Sequence, residues 1–133
     1  MTYDDLIGVP FVHGGRSVDG LDCYGLVLEL FKRRGIALPD PFACVAKEWA
    51  AQAPGTDPLA WMADHLRWSL RTDTPTIGCA VVFSKGGRVA DHVGVMVSAD
   101  QFIHAVEPVG VVINRIHRQP WCEWLIGFYD YAA

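Results

Sequence analysis

An α+β fold is predicted by one change of hydrophobic period along the chain. Before about residue 72 apolar residues recur at helical spacing; after it they fall into short runs bounded by Gly, Pro, Asn, Asp or Ser. The connections between those runs are too short for parallel crossovers, so consecutive strands are expected to pair antiparallel. Together these observations predict N-terminal helices packed on one side of a C-terminal antiparallel meander or small barrel of about five strands. The 133 residues suffice for one domain, over 1–133, with a real core.

Each element has its own signal. Gly14-Gly15-Arg16-Ser17-Val18-Asp19-Gly20 is dense in turn formers and reads as a loop. Leu21, Leu26, Val27, Leu30 and Phe31 then recur at helical spacing, with Asp22 able to cap the start and Gly35 able to stop the run, predicting a helix over roughly 22 to 34. Pro39, Pro41 and Pro54-Gly55 punctuate a middle region in which 45 to 53 and 57 to 70 read as short helices, the second opened by Asp57-Pro58. Trp49, Trp61 and Trp68 fall there, and tryptophans at helical spacing read as core packing. Strands are expected at Gly78 to Phe83, Asp91 to Val97, Gln101 to Val106, Gly110 to Asn114 and Leu125 to Tyr129.

Composition excludes several function classes. Half the residues are apolar (51%) and a fifth are charged (20%), too hydrophobic a balance for disorder. Net charge is −4 and the cations are scattered apart from Lys32-Arg33-Arg34, which argues against nucleic acid or an anionic membrane as partner. Charged residues interrupt every hydrophobic stretch, so no membrane insertion is expected. The acidic start Met1-Thr2-Tyr3-Asp4-Asp5 lacks the basic and apolar regions of a secretory signal, predicting a protein cytoplasmic as synthesised. Cys23, Cys44, Cys79 and Cys122 are too widely separated for a disulfide scaffold or a zinc knuckle, and reduced thiols are the expectation.

Among these cysteines Cys23 stands apart. It follows a glycine-rich loop and opens a helix, where free backbone N–H groups favour a thiolate. Cys79 reads as a strand core residue and Cys122, beside Trp121 and Trp124, as packing. Strand parity then relates His92 to His104. A turn centred at Ser98 makes them directly opposed; a turn centred at Ala99 makes them diagonal neighbours on the same face; a shift of one residue separates them. Two imidazoles side by side make a poor core and a good site, whereas His13, His65 and His117 carry no such spacing.

Five segments now resemble, in order, the motifs of the NlpC-type cell-wall cysteine peptidases, the NlpC and sixty-kilodalton-protein family. They are Pro10-Phe11-Val12-His13-Gly14-Gly15, Asp22-Cys23-Tyr24-Gly25-Leu26, Leu38-Pro39, Asp91-His92-Val93-Gly94-Val95 and Phe102-Ile103-His104-Ala105. Gly20 to Leu26 and the terminal Trp121 to Tyr129 segment are similar to the phage tail branch. The resemblance implies a papain-like core with the cysteine helix packed on the sheet. It implies Cys23 as nucleophile, His92 as general base and His104 as the group that orients it, with no cofactor or metal. It places Phe11, His13, Asp22 and Tyr24 in the substrate or oxyanion environment, with the Cys23 N–H facing the oxyanion. The implied substrates are peptide stems of peptidoglycan, cut between D-glutamate and a diamino acid. The implied partners are other phage tail proteins, in a virion tail that delivers the enzyme to the cell wall.

Three positions depart from that pattern. Phe11 stands where many members carry a tyrosine, removing one hydroxyl donor; His13 stands where tryptophan is frequent; Cys79 replaces an aspartate that serves local turn chemistry. A structural tail-tip protein that keeps the fold without catalysis is the alternative these departures suggest. Acyl transfer to an amine or lipid would use the same groups, and a metal site lacks an anchoring His-x-x-x-His or close cysteine pair.

Overall fold

In the computed structural model, which describes residues 2–40, 68–86 and 90–132, the principal helix begins at a capped aspartate. Asp22 is extended and its carboxylate accepts the Gly25 N–H at 2.7 Å, so α1 runs Cys23–Arg33. Gly35, at φ +82°, gives the chain the left-handed turn that ends it. The inward stripe includes Leu26, Val27 and Leu30, each 0% exposed, and complete burial of one such side chain contributes about 1.5–3 kcal/mol.

The glycine-rich stretch before α1 is more ordered than a loop. Arg16–Ser17 (β1) and Gly20–Leu21 (β2) form a two-stranded antiparallel hairpin, too short to leave a periodic signal in the sequence. Gly25 is required here by contact, since a Cβ on it would overlap the Gly15 carbonyl oxygen. Phe11 makes a further bridge to Leu21, tying the N-terminal strap to this hairpin.

Beyond it, β3 (Trp68–Arg71), β4 (Ala80–Phe83), β5 (His92–Met96), β6 (Gln101–Val106), β7 (Gly110–Arg115) and β8 (Leu125–Tyr131) form a six-stranded sheet in the order β3-β8-β4-β5-β6-β7. All its pairings are antiparallel. A single-turn helix, α2 (Trp121–Trp124), precedes β8. The α+β class holds, with one strand more than expected. Residues 68–71, expected at the end of a helix and just beyond it, are the edge strand β3; Trp68 turns inward between Phe31 and Tyr131, with ring centroids 5.5 and 5.0 Å away. The expected helix over 45 to 53, the start of that over 57 to 70, and Cys44, Trp49, Trp61 and His65 lie outside the described residues.

The sheet divides the core in two. Val93 and Val95 of β5, Ile103 and Ala105 of β6 and Val111 of β7 face α1, whereas Met96 and Phe102 face the layer containing Trp121 and Trp124. The alternation along each strand thus decides which side chains meet the helix and which meet α2. Cys79 is buried in the second layer, as its sequence context suggests; Cys122 is exposed, because α2 is one turn long and turns it outward.

Candidate active site

Register brings the histidines together. Val95 pairs with Ile103 and Met96 with Phe102, the diagonal arrangement expected for a turn centred at Ala99. Continued by two residues, this register sets His104 across from Gly94 and diagonal to His92. Nε2 of His92 lies 2.8 Å from Nδ1 of His104. Gly94 permits this closeness: a Cβ there would stand 2.8 Å from the Ile103 carbonyl oxygen and 3.1 Å from both His104 Cβ and Phe102 Cδ2.

The row continues to a residue that the sequence reading missed. Nε2 of His104 lies 2.7 Å from the side-chain oxygen of Asn114. On β7 Asn114 pairs with Phe102, so it is diagonal to His104 on the same face. The parity rule that related the two histidines, applied one hairpin further, would have found it. Trp121 was also missed: its ring stacks on His92 (5.7 Å, 29°) and meets His104 edge-on (4.6 Å, 87°).

Cys23 approaches from the other layer. It is 6% exposed, in the first turn of α1, with its sulfur near the main-chain N–H groups of Val93 and Tyr24. The Val93 contact follows from the ladder. Val97 donates its N–H to Gln101 of β6, so by alternation the Val93 N–H faces the same side; the β5–β6 pairing has stopped at Val95, and the thiol fills the gap. Cys23 therefore sits beside the residue that follows His92.

Burial sets the resting protonation. Desolvation, followed by the charge of Asp22, pushes the Cys23 thiol up to about 12 despite the two N–H groups. Desolvation, then His104 and Lys85, holds His92 well below the ordinary histidine range. Desolvation lowers His104 to about 4, against the opposing hydrogen bond to Asn114. These shifts favour a neutral thiol and neutral imidazoles near neutral pH.

The structure places the remaining expected residues as follows. The Asp22 carboxylate, besides Gly25, accepts from Gly14 N–H at 3.2 Å and from Arg16 at 2.7 Å, and Arg16 in turn reaches Asp40 at 2.7 Å. Tyr24 donates its hydroxyl to the Pro39 carbonyl at 2.6 Å, so its place near the sulfur is held by its main chain. Phe11 is half-buried with His13 edge-on to its ring at 5.1 Å. His13 is exposed and its Nε2 is paired with Glu107 at 2.8 Å, because the strap runs beside the β6–β7 turn. Among the described residues no group of three or more His, Cys, Asp or Glu side chains is placed to hold a metal ion.

This arrangement of a cysteine helix on an antiparallel sheet agrees with a sequence match to the NlpC/P60 family over residues 8–130. The chain belongs to the NlpC/P60 family. As an NlpC/P60 chain it is 30% identical over 120 residues to the murein DD-endopeptidase MepS/murein LD-carboxypeptidase of Escherichia coli K12, covering 90% of this chain and 54% of that protein. It is 32% identical over 116 residues to a probable endopeptidase of Haemophilus influenzae, covering 86% of this chain and 61% of the relative. The chain thus spans between half and two thirds of the length of these two relatives. A crystal structure of an NLP/P60-family protein similar to lipoprotein, from Staphylococcus aureus Mu50, superposes with a TM-score of 0.63 at 23% identity, over 98% of this chain and 40% of that one. That likeness supports the papain-like α+β fold of this NlpC/P60 chain.

Proposed function

We propose that this chain is a cysteine peptidase that hydrolyses peptide stems of bacterial peptidoglycan. The observation that supports it best is the row Asn114–His104–His92, which ends one residue from the N–H group against which the Cys23 sulfur rests. The E. coli relative, a murein endopeptidase by name, supplies the substrate class.

In this reading His92 uses Nε2 toward His104 and keeps Nδ1 for the thiol. Nδ1 takes the Sγ proton as sulfur attacks the scissile carbonyl, which answers the high resting pKa of Cys23: the thiolate forms during attack. The imidazolium so formed donates to His104 and lies beneath the Trp121 ring, whose face favours a cation. The Cys23 N–H, in the first turn of α1, meets the oxyanion. The intermediate collapses with cleavage of the C–N bond, His92 returns the proton to the departing amine, and a thioester remains. Water, deprotonated by the same Nδ1, then releases the acid and the free thiol.

The bond between D-glutamate and a diamino acid is the proposed target, and a virion tail, among other tail proteins, the proposed setting. The latter rests on the resemblance of Gly20 to Leu26 and Trp121 to Tyr129 to the phage tail branch. Incubating purified peptidoglycan with the protein, and identifying soluble fragments by mass spectrometry, tests the reaction and reads the bond. Release by the wild type and none by Cys23→Ala is expected; equal release by both would sink the proposal. Mass spectrometry of purified particles tests the setting. A catalytically silent tail-tip protein is the second reading. It is favoured by Phe11 in place of a hydroxyl donor and by a Cys23 only 6% exposed, and it expects no fragments from a folded wild type.

A further inference from the structure

The row of polar groups has a direction, and one residue sets it. His104 is 0% exposed, so both its ring nitrogens need partners within the protein. They have them in His92 and Asn114, at 2.8 and 2.7 Å. A neutral imidazole donates from one nitrogen and accepts at the other, so the state of either end propagates through both rings.

We infer that Asn114 is a positioning residue whose amide oxygen fixes the tautomer of His104 and, through it, that of His92. A carboxamide oxygen accepts only, so Nε2 of His104 carries the hydrogen and Nδ1 accepts. Nε2 of His92 must then donate to that Nδ1, which leaves the lone pair of His92 on its own Nδ1. With an amide NH2 facing His104, every bond would reverse: Nδ1 of His92 would carry the hydrogen and could not take a proton from a thiol. The base is therefore made competent by a residue two strands away from it.

In the structure the amide oxygen is the atom that faces His104. Asn114 lies on the outermost strand β7, and it lines an open cavity of about 310 Å³ together with Gln101, Arg115, Arg118, Gln119 and Trp121. The same space accommodates a carboxylate, so Asn114→Asp should fold and hold the row in the same direction. Asn114→Leu keeps the volume and removes the acceptor.

The consequence for turnover rests on the hydrolase reading, but the tautomer does not, so nitrogen-15 NMR of the histidine side chains in Cys23→Ala protein separates the two. Hydrogen on Nε2 of both His92 and His104 is expected there. It should persist with Asn114→Asp added and give way to mixed or reversed tautomers with Asn114→Leu. In the otherwise wild-type protein, Asn114→Leu should lower kcat by roughly tenfold or more with little change in KM, as when a base loses its correct tautomer. Asn114→Asp should restore it. Hydrogen on Nδ1 of His104 with Asn114 intact would overturn the inference even in an active peptidase, and so would an unchanged tautomer in folded Asn114→Leu protein. The expected tautomers with no fragment release would refute the hydrolase and leave the inference standing.

Discussion

Acidification should loosen this protein well above the pH at which its carboxylates titrate. The perturbation is a change from about pH 7.5 to about pH 5, which spans the ordinary histidine pKa but not that of Asp or Glu. Burial lowers His104 from 6.5 to about 4, so the folded protein keeps the ring neutral while the unfolded chain takes up a proton. Its contribution is complete above the unfolded value and is lost as pH falls toward the folded one. At about pH 5 the unfolded ring is nearly all protonated and the folded ring nearly all neutral, which costs about 2 kcal/mol. His92 is depressed in the same direction by desolvation, His104 and Lys85, and adds a loss of the same sign. Asp5 and Asp100, held down with Arg33 and Arg115 as partners, titrate below this window, and Cys23, at about 12, titrates above it. Urea unfolding followed by circular dichroism at the two pH values is the assay. The wild type should lose at least about 2 kcal/mol and His104→Gln, which removes one titrating ring, distinctly less. Identical wild-type midpoints, with unchanged slope, would refute the burial argument.

Other perturbations read other parts of the site. Gly94→Ala drives a methyl against the Ile103 carbonyl oxygen, and main chain cannot yield cheaply; a loss of about 1–3 kcal/mol in thermal unfolding is expected, with the His92–His104 hydrogen bond broken in a crystal structure. Asp22→Ala removes the cap of α1 and a partner of Arg16, and should cost about 1–2 kcal/mol by denaturant titration, whereas Asp22→Asn retains the cap and costs less. The Asp22 charge also raises the Cys23 pKa, so Asp22→Asn should move the pH profile of iodoacetamide labelling at Cys23 downward; an upward shift would contradict the electrostatic assignment.

What was legible in the sequence follows from how local each signal is. Helix α1 announces itself within its own residues and their immediate neighbours, through Asp22, the apolar stripe and Gly35, and β4 to β7 are neighbours both along the chain and in the sheet. Edge strand β3 does not: its partner β8 lies some sixty residues away, and only Trp68 of its four residues is buried, so alternation never shows. The pair His92 and His104 was legible because parity across one turn is arithmetic, and Asn114 was within reach of the same arithmetic. The Arg16 partner of Asp22 and the partners of His13 and Tyr24 were not, since Arg16, Glu107 and the Pro39 carbonyl reach them only after the strap and hairpin have folded.

The thiol and the imidazoles belong to opposite faces of one sheet, and that placement explains why the site sits where β5 begins. Within a fully paired sheet the helix-facing Cys23 and the α2-facing His92 would be separated by a continuous ladder. Here the β5–β6 pairing stops at Val95 and Ile103, His104 leans over the bare Cα of Gly94, and the Val93 N–H is released to the sulfur. The same interruption lets the two histidines join on one face and lets the thiol enter the plane of the sheet from the other. A Cβ at residue 94 therefore acts on both halves at once. Its effect on His92 and its effect on Cys23 reactivity should appear together, and a variant that separated them would show that the two halves are assembled independently.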